Sequence, residues 1–269
     1  MPRRRGQGRA SVNKGLAADT AFLQTKPADP QGMSRHYGLG PALDQFEDMP
    51  VLPGIPMFGY VNQYTFQNAL DVDTTNKWTE VNDNAGTGLT VQDERGGLAK
   101  FTNDTGDNDF YYYVSVNEVT GLVTAKDLWF FTKIRILDVS EADWFVGICA
   151  KVSAADALFD ARVDSVGLFG VDGSAIIRLE SNKDSTSTPN TDGVKSLVDD
   201  TIINLAFHVV GVTQVHYFAG TPGARYAYLG SVATDIPDDE EMAFSFGCRN
   251  GTGGANAMSI GRTIIVQDE

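Results

Sequence analysis

From residue 58 onward the chain is a succession of short apolar or alternating runs, broken by clusters of Asp, Asn, Gly and Thr. YVNQYTFQ (60–67) and LAKFTN (98–103) alternate, the pattern of a strand with one face in a core. KWTEV (77–81) and GLTVQD (88–93) read as short strands, and FYYYVSV (110–116) is aromatic and β-branched. LWFFTKIRILDV (128–139), WFVGICAKV (144–152), VGLFGV (166–171), AIIRLES (175–181) and INLAFHVVGV (203–212) follow. QVHYFAG (214–220), RYAYLGSV (225–232), MAFSFGCRN (242–250) and AMSIGRTIIVQ (257–267) complete the series. Many strands at short spacing predict an all-β sandwich or barrel. Only SAADALFDARV (153–163) has helical periodicity. Asp-Gly in VDGSA (171–175) predicts a hairpin, and NKDSTSTPNTDG (182–193) reads as a surface loop.

The first 57 residues have a different texture. MPRRRGQGRASVNKG (1–15) is polar, glycine-rich and basic, and six of the ten prolines fall between residues 16 and 57. Proline removes ladder donors and breaks helix interiors, so this stretch predicts an extended arm ahead of a sandwich spanning 58–269. Such an arm cannot offset its ordering entropy, ~1–2 kcal/mol per residue, by packing on itself. To become ordered it would need a neighbouring surface.

Charge follows the same division. Residues 1–35 hold seven basic side chains against Asp19 and Asp29, a net +5, while the rest of the chain carries −19 of the overall −14. An acidic body repels nucleic-acid phosphates and anionic membranes. Arg3, Arg4, Arg5, Arg9, Lys14 and Arg35 are therefore expected to dock on carboxylates of a protein surface rather than on a genome. Cys149 and Cys248 lie far apart, form no C-x-x-C, and read as buried thiols in strands, with a single sandwich-bridging disulfide as the alternative. No apolar run follows the basic N-terminus as in a signal peptide, and no stretch approaches the ~18 apolar residues of a membrane span. Synthesis in a cytoplasm is the resulting expectation.

Catalytic patterns are missing. The three histidines show no H-x-H or H-E-x-x-H spacing, and there is no G-x-S-x-G, P-loop or dinucleotide fingerprint. No strand carries the paired carboxylates of a glycosidase; Asp138, Glu141 and Asp143 flank a turn, and Glu240 and Glu241 belong to an acidic run. Asp104, Asp107 and Asp109 in TNDTGDND (102–109) are candidate calcium ligands, and DVDTTN (71–76) is a second acidic loop. The competing reading is a pair of solvated turns, because Asp and Asn bond their own backbone. Consecutive aromatics Tyr111, Tyr112 and Tyr113, like Trp129, Phe130 and Phe131, must point to both faces of their strands, which places some of them outward or in an interface.

INLAFHVVGVTQVHYFAGTPGARYAYLG (203–230) resembles the strand–turn–aromatic strand–glycine loop sequence of concanavalin A-like (laminin G-like) jelly rolls. WFFTKIRILDVSEADWFVGI (129–148) resembles the strands of lectin-like modules in phage structural proteins. The resemblance covers residues 60–269 and is one of texture. It implies two antiparallel sheets, and glycans as one class of ligand. The lectin metal ligands and the glucanase E-x-D-x-x-E are unmatched, so no binding residue transfers. Together with the arm, the module resembles phage head decoration (cement) proteins. That implies a non-enzymatic component of the capsid exterior without a cofactor, partnered by the major capsid protein and by its own copies, often as a trimer. A lectin-like receptor-binding module of a fibre or tail is the alternative.

Overall fold

A computed structural model describes residues 59–268, apart from 84–85, 94–96, 119, 151–156, 161, 185, 191–194, 223, 225 and 252–253. The described chain is two antiparallel sheets packed face to face, the all-β sandwich expected from the runs. The first sheet runs β14 (Ala227–Val232), β13 (Gln214–Gly220), β12 (Ile203–Val210), β7 (Leu128–Ile136), β16 (Ala257–Gly261), β4 (Leu98–Thr102), β3 (Thr87–Gln92). Beside the other half of β7 lies β17 (Thr263–Asp268), which in turn pairs β1 (Gly59–Tyr64). The second sheet runs β11 (Thr186–Asn190), β10 (Arg178–Lys183), β9 (Ser165–Gly170), β8 (Ala142–Ala150), β15 (Glu241–Asn250), β5 (Phe110–Ser115), β2 (Trp78–Asn82). A two-residue strand, β6 (Thr120–Gly121), fills the remaining edge of β15.

The single run read over 257–267 is divided by a bulge. Ile260 faces Ile134 and Ile264 faces Phe131, so one extra residue sits on this side of the ladder around Arg262. That bend lets one segment serve two neighbours, β4 and then β1.

Alternation divides each strand cleanly. Phe130, Phe207, Val215 and Ile265 of the first sheet meet Trp78, Val146, Phe244 and Phe246 of the second in one buried core. Aromatic contacts dominate its middle: Phe130 stacks on Phe207 at 4.5 Å, and Trp78 meets Phe246 edge-on at 5.2 Å.

The second sheet has a smaller core on its other face. Phe110, Tyr112, Val114, Phe145, Cys149 and Ala243 are covered there by Leu158 of a single helical turn, α1 (Ala157–Asp160), with Phe159 alongside. Gly167 is required at this surface, because a Cβ there would lie 2.6 Å from the Phe145 ring. Next to it, Arg162 grips Glu180 with two parallel bonds of 2.7 and 2.6 Å. Both side chains are under one-tenth exposed. The guanidinium also lies 4.6 Å from the Phe145 ring centre.

Several local expectations change. Of the helix read over 153–163, the described residues hold only α1; its Leu158 and Phe159 belong to a face-covering turn. The polar 182–193 stretch is not all loop: Thr186–Asn190 pairs with β10, with Pro189 on an edge strand where its missing N–H is tolerated. The Asp-Gly sequence does connect two antiparallel strands, and Gly173 has the left-handed φ of 76° that such turns need. The connection nevertheless spans 171–177 rather than two residues. All three tyrosines of β5 are buried, because the outward Tyr112 lies under Phe159. Cys149 and Cys248 are free and buried, and they face opposite sides of the second sheet, which keeps them apart.

Candidate functional site

The outward face of the first sheet is unlike a solvated one. Two adjacent rows cross five strands, from β17 through β7, β12 and β13 to β14. One row reads Val266, Trp129, His208, His216, Ser231. The other reads Ile264, Phe131, Ala206, Phe218, Tyr228. Val266, Phe131, Ala206 and Phe218 are fully buried although they point away from the core between the sheets, whereas Tyr228 is 51% exposed. The rings form a chain of contacts. Trp129 lies parallel on His208 at 4.8 Å, His208 meets His216 at 6.2 Å, His216 meets Tyr228 at 6.0 Å, and Tyr228 meets Phe218 at 5.6 Å.

The middle of the row is fixed by Asp127, just before β7. Its Oδ2 lies 2.9 Å from His208 Nε2, and its Oδ1 accepts from the Gly211 amide at 3.1 Å. Burial holds the His208 imidazole below its ordinary pKa despite this carboxylate, and burial likewise lowers His216. A neutral His208 that donates from Nε2 leaves Nδ1 as a bare acceptor. That nitrogen is buried without a partner, and so is the Trp129 indole N–H beside it. The stacked pair therefore offers one donor and one acceptor side by side, both desolvated and unused.

The other sequence candidates are placed differently. Arg3, Arg4, Arg5, Arg9, Lys14 and Arg35 lie outside the described residues. Asp104 and Asp107 are exposed, and Asp109 turns its carboxylate back onto the Gly106 amide at 2.6 Å. The loop is pinned from behind by buried Asn250, whose amide donates to the Asp104 and Gly106 carbonyls. In the second acidic loop, Asp71 accepts from the Gln67 and Asn68 amides and pairs with Lys77, while Asp73 accepts from the Thr75 amide and Asn76. Burial alone would raise the Asp71 pKa, but those partners hold it below the usual carboxylate range. Among the described residues no three His, Cys, Asp or Glu side chains are grouped to hold a metal. Both loops thus bond their own backbone. Asp143 is likewise committed, to the Arg249 guanidinium at 2.7 Å.

An open cleft of about 500 Å³ lies at the Asp127 end of the sandwich, lined by Leu122, Val123, Lys126, Asp239, Glu240 and Gln267 among others. Lys183 ties down Asp238 and approaches Asp239 at 3.8 Å, so part of its acidity is already balanced.

The aromatic rows were readable in part. Both parities of LWFF and of LAFHV are apolar or aromatic, the mark of a strand covered on both faces. The pairing of Trp129 with His208 was not readable, because it depends on which strands become neighbours.

No known protein family profile and no curated protein matches this chain. Solved structures do. A protein of unknown function from Shewanella oneidensis MR-1 superposes with a TM-score of 0.51 at 11% identity, over 78% of this chain and 86% of its own. Peanut lectin, in a complex with a nine-residue peptide, gives 0.50 at 10% identity over 78% and 97%. The carbohydrate recognition domain of Emp46p, in its potassium-bound form, gives 0.50 at 11% identity over 75% and 95%. The fold is thus the concanavalin A-like jelly-roll sandwich of the legume lectins. At these identities the likeness is one of fold.

Proposed function

We propose that this chain is a non-enzymatic virion structural protein that decorates or cements a phage capsid. Its N-terminal arm docks on neighbouring capsid subunits, and the sandwich faces outward. The observation that carries this reading is the division of the chain in the sequence: a basic stretch, net +5 over residues 1–35, with six of the ten prolines between residues 16 and 57, ahead of an acidic sandwich. The basic, proline-rich arm supplies the reach to a neighbouring subunit. Cement of this kind stabilises a shell by binding its assembled state alone. Sedimentation of shells with full-length protein and with a chain lacking residues 1–55 tests it. Binding by the full chain and not by the truncation is expected; binding by neither overturns the reading.

A glycan-binding module of a fibre or tail is the second reading, favoured by the half-exposed Tyr228 beside His216 and by the fold shared with peanut lectin and the Emp46p domain. A glycan array with wild-type protein and Tyr228→Ala separates the two. A signal that is lost in the variant would favour the module.

A further inference from the structure

The two strand paths end on β14, β3, β11 and β2. Three of these edges carry features that spoil further pairing. Pro189 removes an N–H from β11. β14 contains Gly230 at φ 147°, beside a register shift at Tyr217 and Phe218. β3 is interrupted by a register shift between Thr87 and Thr90, and the Leu89 amide within it is spent on the Tyr113 hydroxyl at 2.8 Å. β2 has no such feature. It pairs with β5 in unbroken register, from Trp78 opposite Ser115 to Asn82 opposite Tyr111. A regular open edge is a template for another strand, which is why proteins usually blunt it.

The ladder fixes which backbone groups face outward. The Lys77 carbonyl accepts from the Val116 amide at 2.9 Å, one step beyond the Trp78–Ser115 pair. Hydrogen-bonded and non-hydrogen-bonded pairs alternate along an antiparallel ladder. Thr79 and Val81 therefore turn their N–H and C=O toward β5, and Trp78, Glu80 and Asn82 turn theirs away from it. The Trp78 amide is satisfied by the Asp73 carbonyl at 3.2 Å. The Trp78 carbonyl and the amides and carbonyls of Glu80 and Asn82 have no hydrogen-bond partner among the described residues. Unlike the outward rows of the first sheet, this edge reaches solvent: Thr79, Glu80 and Val81 are half-buried and Asn82 is exposed.

The side chains select the partner. The Glu80 carboxylate accepts from the Asn82 side-chain amide at 3.0 Å and bonds the Tyr113 hydroxyl, and no cation pairs with it among the described residues. Asp83 and Asp104 add negative charge beside the same edge. A second copy fits badly, because the antiparallel register that uses all three outward residues sets Glu80 directly against its own counterpart. A lysine or arginine at that position would neutralise it. On the other face of the strand, Val81 packs against the core of Phe110 and Tyr112, so apolar residues next to the basic one would extend that cover. We propose that the outer edge of β2 docks an extended strand of a different polypeptide, antiparallel to it, with a basic side chain opposite Glu80 and apolar side chains on either side. Backbone pairing supplies the affinity and Glu80 the selectivity. The inference goes beyond the capsid reading and is tested without capsids.

Amide hydrogen exchange of the full-length protein is followed by NMR, alone and with about 1 mM of the capped peptide STVKVTS. In the protein alone, the Glu80 and Asn82 amides are expected to exchange fast and those of Thr79 and Val81 slowly. The peptide is expected to slow Glu80 and Asn82 about tenfold. STVEVTS should bind about fivefold more weakly. N-methylation of the peptide amides that face β2 should weaken binding about tenfold or more. Glu80→Lys should invert the preference between the two peptides, which a misfolded chain would not do. A Glu80 amide as slow as Thr79 in dilute protein alone would mean that the edge is already covered, and overturns the proposal. Slowing that grows with protein concentration in the absence of peptide would assign the edge to a second copy, and overturns the choice of partner. No slowing by the peptide, or binding indifferent to N-methylation, overturns the site.

Discussion

Glu180→Ala removes one half of the Arg162–Glu180 fork and leaves a guanidinium confined between Phe145, Phe169 and the α1 turn. Both partners are nearly buried, so solvent does little to screen the loss. Breaking such a pair from one side costs ~3–5 kcal/mol, most of it the penalty of an uncompensated buried charge. Ser165 also loses the acceptor for its 3.1 Å bond. For a domain of this size each kcal/mol moves Tm by about 2–4 °C, so a fall of roughly 6–20 °C is expected in a calorimetric or circular dichroism melt. The double change Arg162→Met with Glu180→Leu removes both charges and keeps their volume, and is expected to recover most of that loss. A Glu180→Ala melt within 2 °C of wild type would refute the argument, as would a double variant no better than the single one.

Other consequences follow from the same physics. His208 and His216 have pKa values lowered by burial, so the unfolded chain binds more protons once the pH drops below ~6.5. Tm should therefore be flat from pH 8 to 7 and fall toward pH 5, and His208→Asn should remove a large part of the fall; an unchanged slope in that variant would exclude His208 as its source. Burial pushes the Cys149 thiol up to about 11 and Cys248 higher still, so neither should react with a thiol reagent in native protein, and both should react in denaturant. Reaction of either within minutes under native conditions contradicts their burial. Because Asp71, Asp73 and Asp109 are spent on backbone amides, adding calcium or chelating it should leave the melting curve in place; a shift of several degrees would assign those loops a metal role.

Much of the architecture was legible because strand signals are local. Alternation in LAKFTN and continuous apolar runs such as WFVGICA report burial on one face or two, and those strands lie within a few residues of their expected bounds. The α1 turn was harder to read, since Leu158 and Phe159 gain their role only from a sheet face that strands distant in sequence create. The edge strand Thr186–Asn190 was hidden for a related reason: its composition is that of a turn, and only pairing with β10 makes it a strand. At the candidate site, Trp129 and His216 were visible as strand residues. The unpaired Trp129 and His208 nitrogens arise from register, burial and the reach of Asp127, none of which is local.

A protein that decorates a shell should co-sediment with assembled capsids. Full-length protein should pellet with shells at saturable stoichiometry, and a chain lacking residues 1–55 should stay in the supernatant. Full-length protein remaining in the supernatant at every shell concentration would contradict it.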